Sequence, residues 1–281
     1  MKNNRQLFDD VSAACSRNTA LSYSTSFSLG ISTLGKRYRQ PVYAIYGFVR
    51  FADEIVDTFH SYNKADLLKR FREDTLYAID NRISMNPILH SFQQAYHQFN
   101  LEWPLVDQFL KSMEMDLSDR TYTNEQYNQY IHGSAEVVGM MCLRVFAEGD
   151  QHIYEKLKPQ AIRLGAAFQK INFLRDMKQD YEELGRNYFP EVDFTNFDST
   201  QKLKIESEIK IDFDEGLKGI KMLPRESRLG VYLAYVYYRV LFNKMVRMPH
   251  THIMHKRVRI PVSRKLALLA QSYVRHSLNL I

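Results

Sequence analysis

The amino-acid sequence predicts an all-α protein, and three observations lead to this prediction. Glycine and proline are scarce, with 11 and 8 residues among 281. Long segments repeat their apolar residues every three or four positions, which is the spacing of one helix face. The alternating apolar and polar runs that are typical of β-strands do not occur in the sequence, which also contains no internal repeat and no low-complexity tract.

The predicted helices follow one another along the chain with short breaks between them. Residues 5–29 contain two helical segments, and Gln40-Pro41 is predicted to open the next helix, which runs to about Phe59. Thr123 is predicted as an N-cap, and residues 187–200 are predicted as a loop. The other helices are predicted at about 63–80, 86–99, 103–118, 124–147, 153–184, 201–222, 225–247 and 261–279.

Composition favours one globular domain in the cytoplasm. No shift in composition marks a boundary within residues 1–281, although this length also permits two small domains. Cys15 and Cys142 form no CxxC motif, which fits a reducing compartment. The N-terminus lacks the apolar stretch of a signal peptide, and the longest apolar run, Gly230–Val246, is interrupted by two basic residues. We therefore expect no membrane-spanning segment.

Two pairs of aspartates stand at helical spacing in distant parts of the chain. Asp53 and Asp57 form one pair, and Asp176 and Asp180 form the other, each pair embedded in an otherwise apolar helix. The pattern predicts two helices that face each other across a cavity. Like charges at that distance require neutralisation, and divalent cations holding a phosphorylated ligand would provide it. Mg²⁺ suits carboxylate and phosphate oxygens.

Other polar side chains accompany these pairs. Arg50 and Arg175 lie beside the first and second pair, and Asn172 and Gln169 extend the second pair along its helix face. The hydroxyl-rich stretch 22–27 lies near a helix start, where hydroxyl groups cap helices or bind anions. The small residues of 133–139 would let a helix or a ligand approach the helix predicted at 124–147 closely.

Taken together, these segments resemble the squalene/phytoene synthase family of head-to-head prenyl transferases. The resemblance covers nearly the whole chain in order, and segment 130–139 is most similar to bacterial phytoene synthases. The matching segments are 24–27, 43–57, 130–139, 169–180 and 186–190.

The resemblance implies a class I isoprenoid-synthase helical fold with a central active-site cavity. It also implies that Mg²⁺, with Mn²⁺ as the alternative ion, binds both aspartate motifs and holds the substrate diphosphates. The implied metal ligands are Asp53, Asp57, Asn172, Asp176 and Asp180, and catalytic roles follow for these aspartates together with Arg50 and Tyr188. The positions implied to contact diphosphate or the reacting carbons are Ser24, Ser26, Phe27, Arg50, His132, Gln169, Asn172, Arg175 and Tyr237.

One of these positions departs from the family pattern. His132 stands where many members carry a tyrosine. A histidine there could donate a hydrogen bond to diphosphate or act as a base.

The expected function is condensation of two geranylgeranyl diphosphates to phytoene through a cyclopropylcarbinyl diphosphate, with no requirement for NADPH. The first alternative is the same chemistry on farnesyl diphosphate, giving squalene or dehydrosqualene. A head-to-tail elongase or terpene cyclase would show DDxxD, which neither aspartate pair supplies. A non-catalytic relative would be expected to lose metal-binding aspartates, and all four are present.

The net charge of +6 favours anionic partners. The basic stretch 255–259 with Arg264 and Lys265 is interpreted as a solvated face or a contact with a membrane surface, because basic–aromatic alternation for nucleic acid is lacking. Nucleic acid is therefore not an expected partner. His250, His252 and His255 match no familiar zinc spacing, and no helix is predicted there. The sequence carries no signal for an oligomeric state.

Overall fold

The computed structural model of the chain describes residues 3–118, 121–190, 192, 197–253 and 257–281, and nearly all of them lie in helices. No strand occurs in these ranges, where Thr121 and Asn187 form an isolated β-bridge, so the all-α prediction is confirmed. The helices are α1 (Asn4–Tyr23), α2 (Thr25–Ser32), α3 (Lys36–Thr58), α4 (Lys64–Asn81), α5 (Pro87–Gln98), α6 (Trp103–Ser118), α7 (Asn124–Ile131), a π-helical segment (His132–Glu136), α8 (Val137–Ala147), α9 (Gln151–Leu184), α10 (Ser199–Met222), α11 (Arg225–Val246), α12 (His250–Ile253) and α13 (Val262–Ser277).

Helix starts follow the capping chemistry of the sequence in most places. Thr123 and Gln126 form a reciprocal capping box at the start of α7, which confirms the predicted N-cap. The prediction that Pro41 opens a helix was wrong, because α3 begins at Lys36 and contains Pro41. The Gly35 N–H donates to the Glu226 carbonyl at 2.8 Å, and this contact with α11 fixes the earlier start.

Two further segments differ from the prediction. The helix predicted at 124–147 is interrupted by the π-helical turn His132–Glu136, where Gly133 packs against α6 so closely that a Cβ atom would lie 2.5 Å from the Ser112 Cβ. Residues 250–253 form the short helix α12, where no helix was predicted. His255 lies outside the described residues.

The buried apolar faces of the helices merge into one large hydrophobic cluster. Phe48 of α3 is fully buried in it and stacks on Phe92 of α5 with ring centroids 4.1 Å apart. This packing leaves the opposite face of α3 free to form one wall of a cavity, and α9 lies across that cavity. Within the described residues, no helix has both the length and the apolar character that crossing a membrane would require.

A glycine ends α9 and reverses the chain. Gly185 has φ +67°, a left-handed conformation that favours glycine at a helix C-terminus. The next residue, Arg186, donates its backbone N–H to the Asp180 carbonyl at 2.8 Å. The turn directs the Arg186 side chain back toward α3, where it meets the site described below.

Candidate active site

A cavity of about 390 Å³ lies at the centre of the helices. Its walls are mostly apolar and come from α2, α3, α6 and α8–α11, with contributions from α7 and the π-helical segment. Representative lining residues are Ile45, Phe109, Val138, Leu164 and Ile220. Such a lining excludes water from everything except the polar end of the cavity.

The polar end begins on α3. Arg50 and Asp53 both line the cavity, and the Arg50 guanidinium is hydrogen-bonded to Asp53 and Glu54. Burial and the like charge of Asp57 raise the pKa of Asp53 to about 7, although Arg50 opposes the shift. The Asp53 side chain is 33% exposed. Because the residue lines the cavity, this exposed part is available to a ligand.

The other half of the polar end lies on α9. Asn172 lines the cavity about one turn before Asp176, and Gln169 lines it about two turns before Asp176. Arg175 donates from Nε to the Asp176 Oδ1 at 2.9 Å, and the Arg257 Nε lies 2.8 Å from the same oxygen. The structure therefore surrounds Asp176 with two guanidinium groups.

Arg186 connects the two aspartate pairs. Its Nη1 donates to the Asp57 Oδ1 at 2.8 Å, and its Nη2 donates to the Val56 carbonyl at 3.3 Å. Burial raises the pKa of Asp180 to about 8, and the charges of Asp176 and Asp57 add to the shift. Because Arg186 contacts Asp57 of α3 and lines the same small hollow as Asp180 of α9, the two pairs lie near each other.

Asp116 was missed by the sequence analysis. It lies near the end of α6, its side chain is 2% exposed, and its Oδ2 accepts from the Tyr130 hydroxyl at 2.6 Å. The Tyr188 hydroxyl donates to its Oδ1 at 2.9 Å, and the Arg186 Nε lies 3.6 Å from the same oxygen. Burial raises the pKa of Asp116 to about 6 against the effect of Arg186. A lone aspartate near a helix end gives no sequence signal for such a cluster.

Tyr188 itself faces this cluster rather than the main cavity. Its ring stacks on Phe173 with centroids 4.1 Å apart, and it lines a small hollow with Asp180 and Arg186. Tyr130, which was only part of a matching segment in the sequence, lines the main cavity instead.

Two predicted positions lie elsewhere. The His132 side chain is 45% exposed, and its Nδ1 lies 2.8 Å from the Glu136 Oε2. It does not line the cavity, because it lies about 200° around the helix from Tyr130, which does. Tyr237 is buried against α13, where its hydroxyl donates to the Lys265 carbonyl at 2.8 Å. The next residue, Tyr238, donates to the Asn172 Oδ1 at 3.2 Å. One residue rotates a helix position by about 100°, so Tyr238 points toward Asn172 and Tyr237 points toward α13.

The start of α2 lies at the same end of the cavity. Ser24 caps α2 by accepting the Phe27 N–H at 3.1 Å, and Ser26 is half-buried one turn away from Gly30 of the lining. Phe27 lines the cavity and contacts the Tyr46, Phe168 and Tyr238 rings, with centroids 6.1, 6.3 and 5.8 Å away. These aromatic faces are available to stabilise a cation.

The donor set at the polar end fits Mg²⁺. Four aspartates and one asparagine amide offer hard oxygen ligands. Burial raises the pKa of Asp53 and of Asp180, neighbouring carboxylates add to the shift, and a cation at this end would oppose it. In the described ranges, no three acidic, histidine or cysteine side chains already converge on one point, and arginines pair with Asp53, Asp57 and Asp176.

Comparisons with known proteins agree with this architecture. The family model for squalene/phytoene synthase matches residues 21–264. The chain is 27% identical to a phytoene synthase of Arthrospira platensis over 92% of its own length and 91% of the relative. It is 26% identical to a 4,4'-diapophytoene synthase of Staphylococcus haemolyticus, over 79% of this chain and 83% of the relative.

A solved structure of a dehydrosqualene synthase in complex with a ligand shares the fold. The TM-score is 0.82 at 20% identity, and the match covers 95% of this chain and 96% of that one. The class I helical fold expected from the sequence is therefore confirmed.

Proposed function

The chain belongs to the squalene/phytoene synthase family of head-to-head prenyl transferases, and we propose that it condenses two molecules of geranylgeranyl diphosphate to phytoene. One observation carries this proposal: an apolar cavity has Asp53 and Asn172 in its lining at the polar end, and Arg186 links Asp57 of the first aspartate pair to the hollow that contains Asp180 of the second. The relatives named phytoene synthase and diapophytoene synthase support the reaction class.

The depth of the cavity favours the longer substrate. Lining residues follow α9 from Asn172 back to Leu157, which is about 22 Å at the rise of an α-helix. A chain of single bonds advances roughly 1.2 Å per bond, so an extended geranylgeranyl chain needs roughly 18 Å and a farnesyl chain roughly 13 Å. Both fit. The longer chain would end about 4 Å before Leu157, whereas the shorter chain would leave about 9 Å of the cavity empty.

The polar end would hold the diphosphates. Asp53, Asp57, Asn172, Asp176 and Asp180 would hold Mg²⁺, which supplies neutralisation of diphosphate charge when it is bound. Arg50 and Arg175 present guanidinium groups at the same end, where they stabilise negative charge that develops on a departing diphosphate.

The apolar walls would protect the reacting carbons. Loss of diphosphate from one substrate leaves an allylic cation. The double bond of the second substrate attacks this cation, and loss of one proton closes a cyclopropane ring. Loss of the second diphosphate, rearrangement and release of a second proton give the product. Phe27, Tyr46 and Phe168 line the cavity below the polar end, where their faces stabilise a cation and exclude water.

The direct test is product identification with the purified protein. We expect Mg²⁺ and geranylgeranyl diphosphate to give a hydrocarbon with the mass of phytoene, without NADPH, and EDTA to stop the reaction. A C30 product from farnesyl diphosphate at higher kcat/KM would replace the proposed substrate by the shorter one. No product from either substrate would indicate a non-catalytic relative.

A substitution inside the cavity tests the length argument. Ala161 lines the cavity about 16 Å along α9 from Asn172, so Ala161→Phe should block the space that the last isoprene unit needs. We expect kcat/KM for geranylgeranyl diphosphate to fall roughly tenfold or more, with turnover of farnesyl diphosphate retained. Ala65→Phe on the exposed side of α4 serves as the matched control. Equal losses with both substrates would contradict the proposed position of the chain.

A further inference from the structure

Positive charge is concentrated in the last part of the sequence. No aspartate or glutamate follows Glu226, whereas ten lysines and arginines do. The preceding residues hold 28 of the 38 basic and all 32 acidic side chains, so they are slightly acidic overall. The net charge of +6 therefore originates in the segment that forms α11, α12 and α13.

Helix α13 is apolar on two opposite sides. Its inner side packs on α11 through Leu268, which is buried with Leu233 and Tyr237. Its outer side exposes large apolar side chains, whereas a helix that packs on one side normally carries polar residues on the other side. These side chains are Val262, Leu266, Tyr273 and Val274, each between 52% and 60% exposed, and Leu278 and Leu280 follow them at 63% and 58%.

Exposed basic side chains lie at one edge of this outer side, and others lie on the segments that precede α13. Arg264 and Arg275 of α13 are exposed, and Arg247 and Arg259 are exposed on the preceding segments. A helix that combines an apolar stripe with flanking basic residues is typical of binding in the plane of an anionic membrane surface.

Three contacts show where α13 lies relative to the cavity. The Tyr237 hydroxyl donates to the Lys265 carbonyl. Burial lowers the pKa of the Lys265 ammonium group, and the nearby charge of Arg175 adds to this shift. Arg257, on the segment that precedes α13, contacts Asp176. The start of α13 therefore lies beside the polar end of the cavity.

We propose that the outer side of α13, with its flanking arginines, docks the protein on an anionic lipid surface. Docking there would place the polar end of the cavity near the lipid interface, where long-chain isoprenoids accumulate. A second copy of the chain fits this face less well, because a symmetric dimer across it would bring the same positive charges together. The docking requires no turnover and does not depend on the proposed reaction.

Vesicle sedimentation with the full chain tests the proposal. We expect binding to vesicles of equal parts phosphatidylglycerol and phosphatidylcholine, weak binding to phosphatidylcholine alone, and weaker binding at high salt. The double variant Arg264→Gln, Arg275→Gln should lower the partition constant roughly 30-fold. The double variant Leu266→Ser, Val274→Ser should lower it roughly tenfold.

Matched variants on α10 provide the controls. Lys210→Gln with Lys218→Gln, and Leu203→Ser with Ile211→Ser, make the same chemical changes on another exposed surface and should leave binding within twofold. Circular dichroism confirms that each variant is folded. Equal binding by α13 and α10 variants would overturn the proposal. So would a wild-type dimer that the α13 variants convert to monomer without any change in vesicle binding.

Discussion

Replacing Asp176 or Asp53 by asparagine is expected to lower kcat by roughly a thousandfold or more. Each change keeps the size of the side chain and removes one negative oxygen ligand from the polar end of the cavity. Asp176 contacts two arginines and Asp53 contacts one, so neither carboxylate supports the packing of apolar side chains. Helical content should therefore remain unchanged.

A binding measurement separates this effect from a folding defect. Mg²⁺ with inorganic pyrophosphate should raise the Tm of the wild-type protein, because a ligand that binds only the folded state stabilises it. The Asp53→Asn and Asp176→Asn variants should lose that increase. Asp74→Asn, on the exposed side of α4, is the control and should behave as wild type. Wild-type turnover in both site variants would refute the assignment of the aspartates.

Arg186→Met is expected to destabilise the folded state by about 3–5 kcal/mol, because it removes the positive partner of a buried carboxylate. Arg186 is 6% exposed and contacts Asp57 and Asp116, whose side chain is 2% exposed. Methionine retains most of the aliphatic stem, so the loss reports the charge rather than a cavity.

Urea denaturation measures this change in the free energy of unfolding. Lys218→Met, at an exposed position of α10, should change it by less than about 0.5 kcal/mol. Adding Asp116→Asn to the Arg186→Met variant should recover part of the loss, because the unpaired charge is then gone. A loss below about 1 kcal/mol, or no recovery in the double variant, would contradict the proposed pairing.

The features that the sequence predicts well are local ones. The aspartate pairs occupy one helix face because residues four apart lie on the same side of an α-helix, whatever surrounds them. The capping box at Thr123 depends on a separation of three residues. Amphipathic periodicity gave most helix bounds to within a few residues, and the two helices that carry the aspartates were among them.

The features that escaped prediction depend on distant contacts or on register. Asp116 gains its surroundings from α7 and from the turn after α9, and Arg257 reaches Asp176 across more than 80 residues of chain. Tyr237 and His132 were assigned to the site by position in a motif. Their helix positions direct them elsewhere: Tyr237 lies about 100° around α11 from Tyr238, and His132 lies about 200° around the helix from Tyr130.

Because the chain reverses at Gly185, the second aspartate pair and Arg186 form one short continuous segment, here called the cassette. Asp176, Asp180, the left-handed glycine, Arg186 and Tyr188 all fall within 13 consecutive residues. Recombination between distant relatives would transfer these residues together by exchanging a single short stretch. The recipient would need to present Asp57 of α3, Asp116 of α6 and Arg257 to it. Chimeric proteins with a junction on either side of the cassette should therefore tolerate exchange better than those with a junction between Asp180 and Arg186.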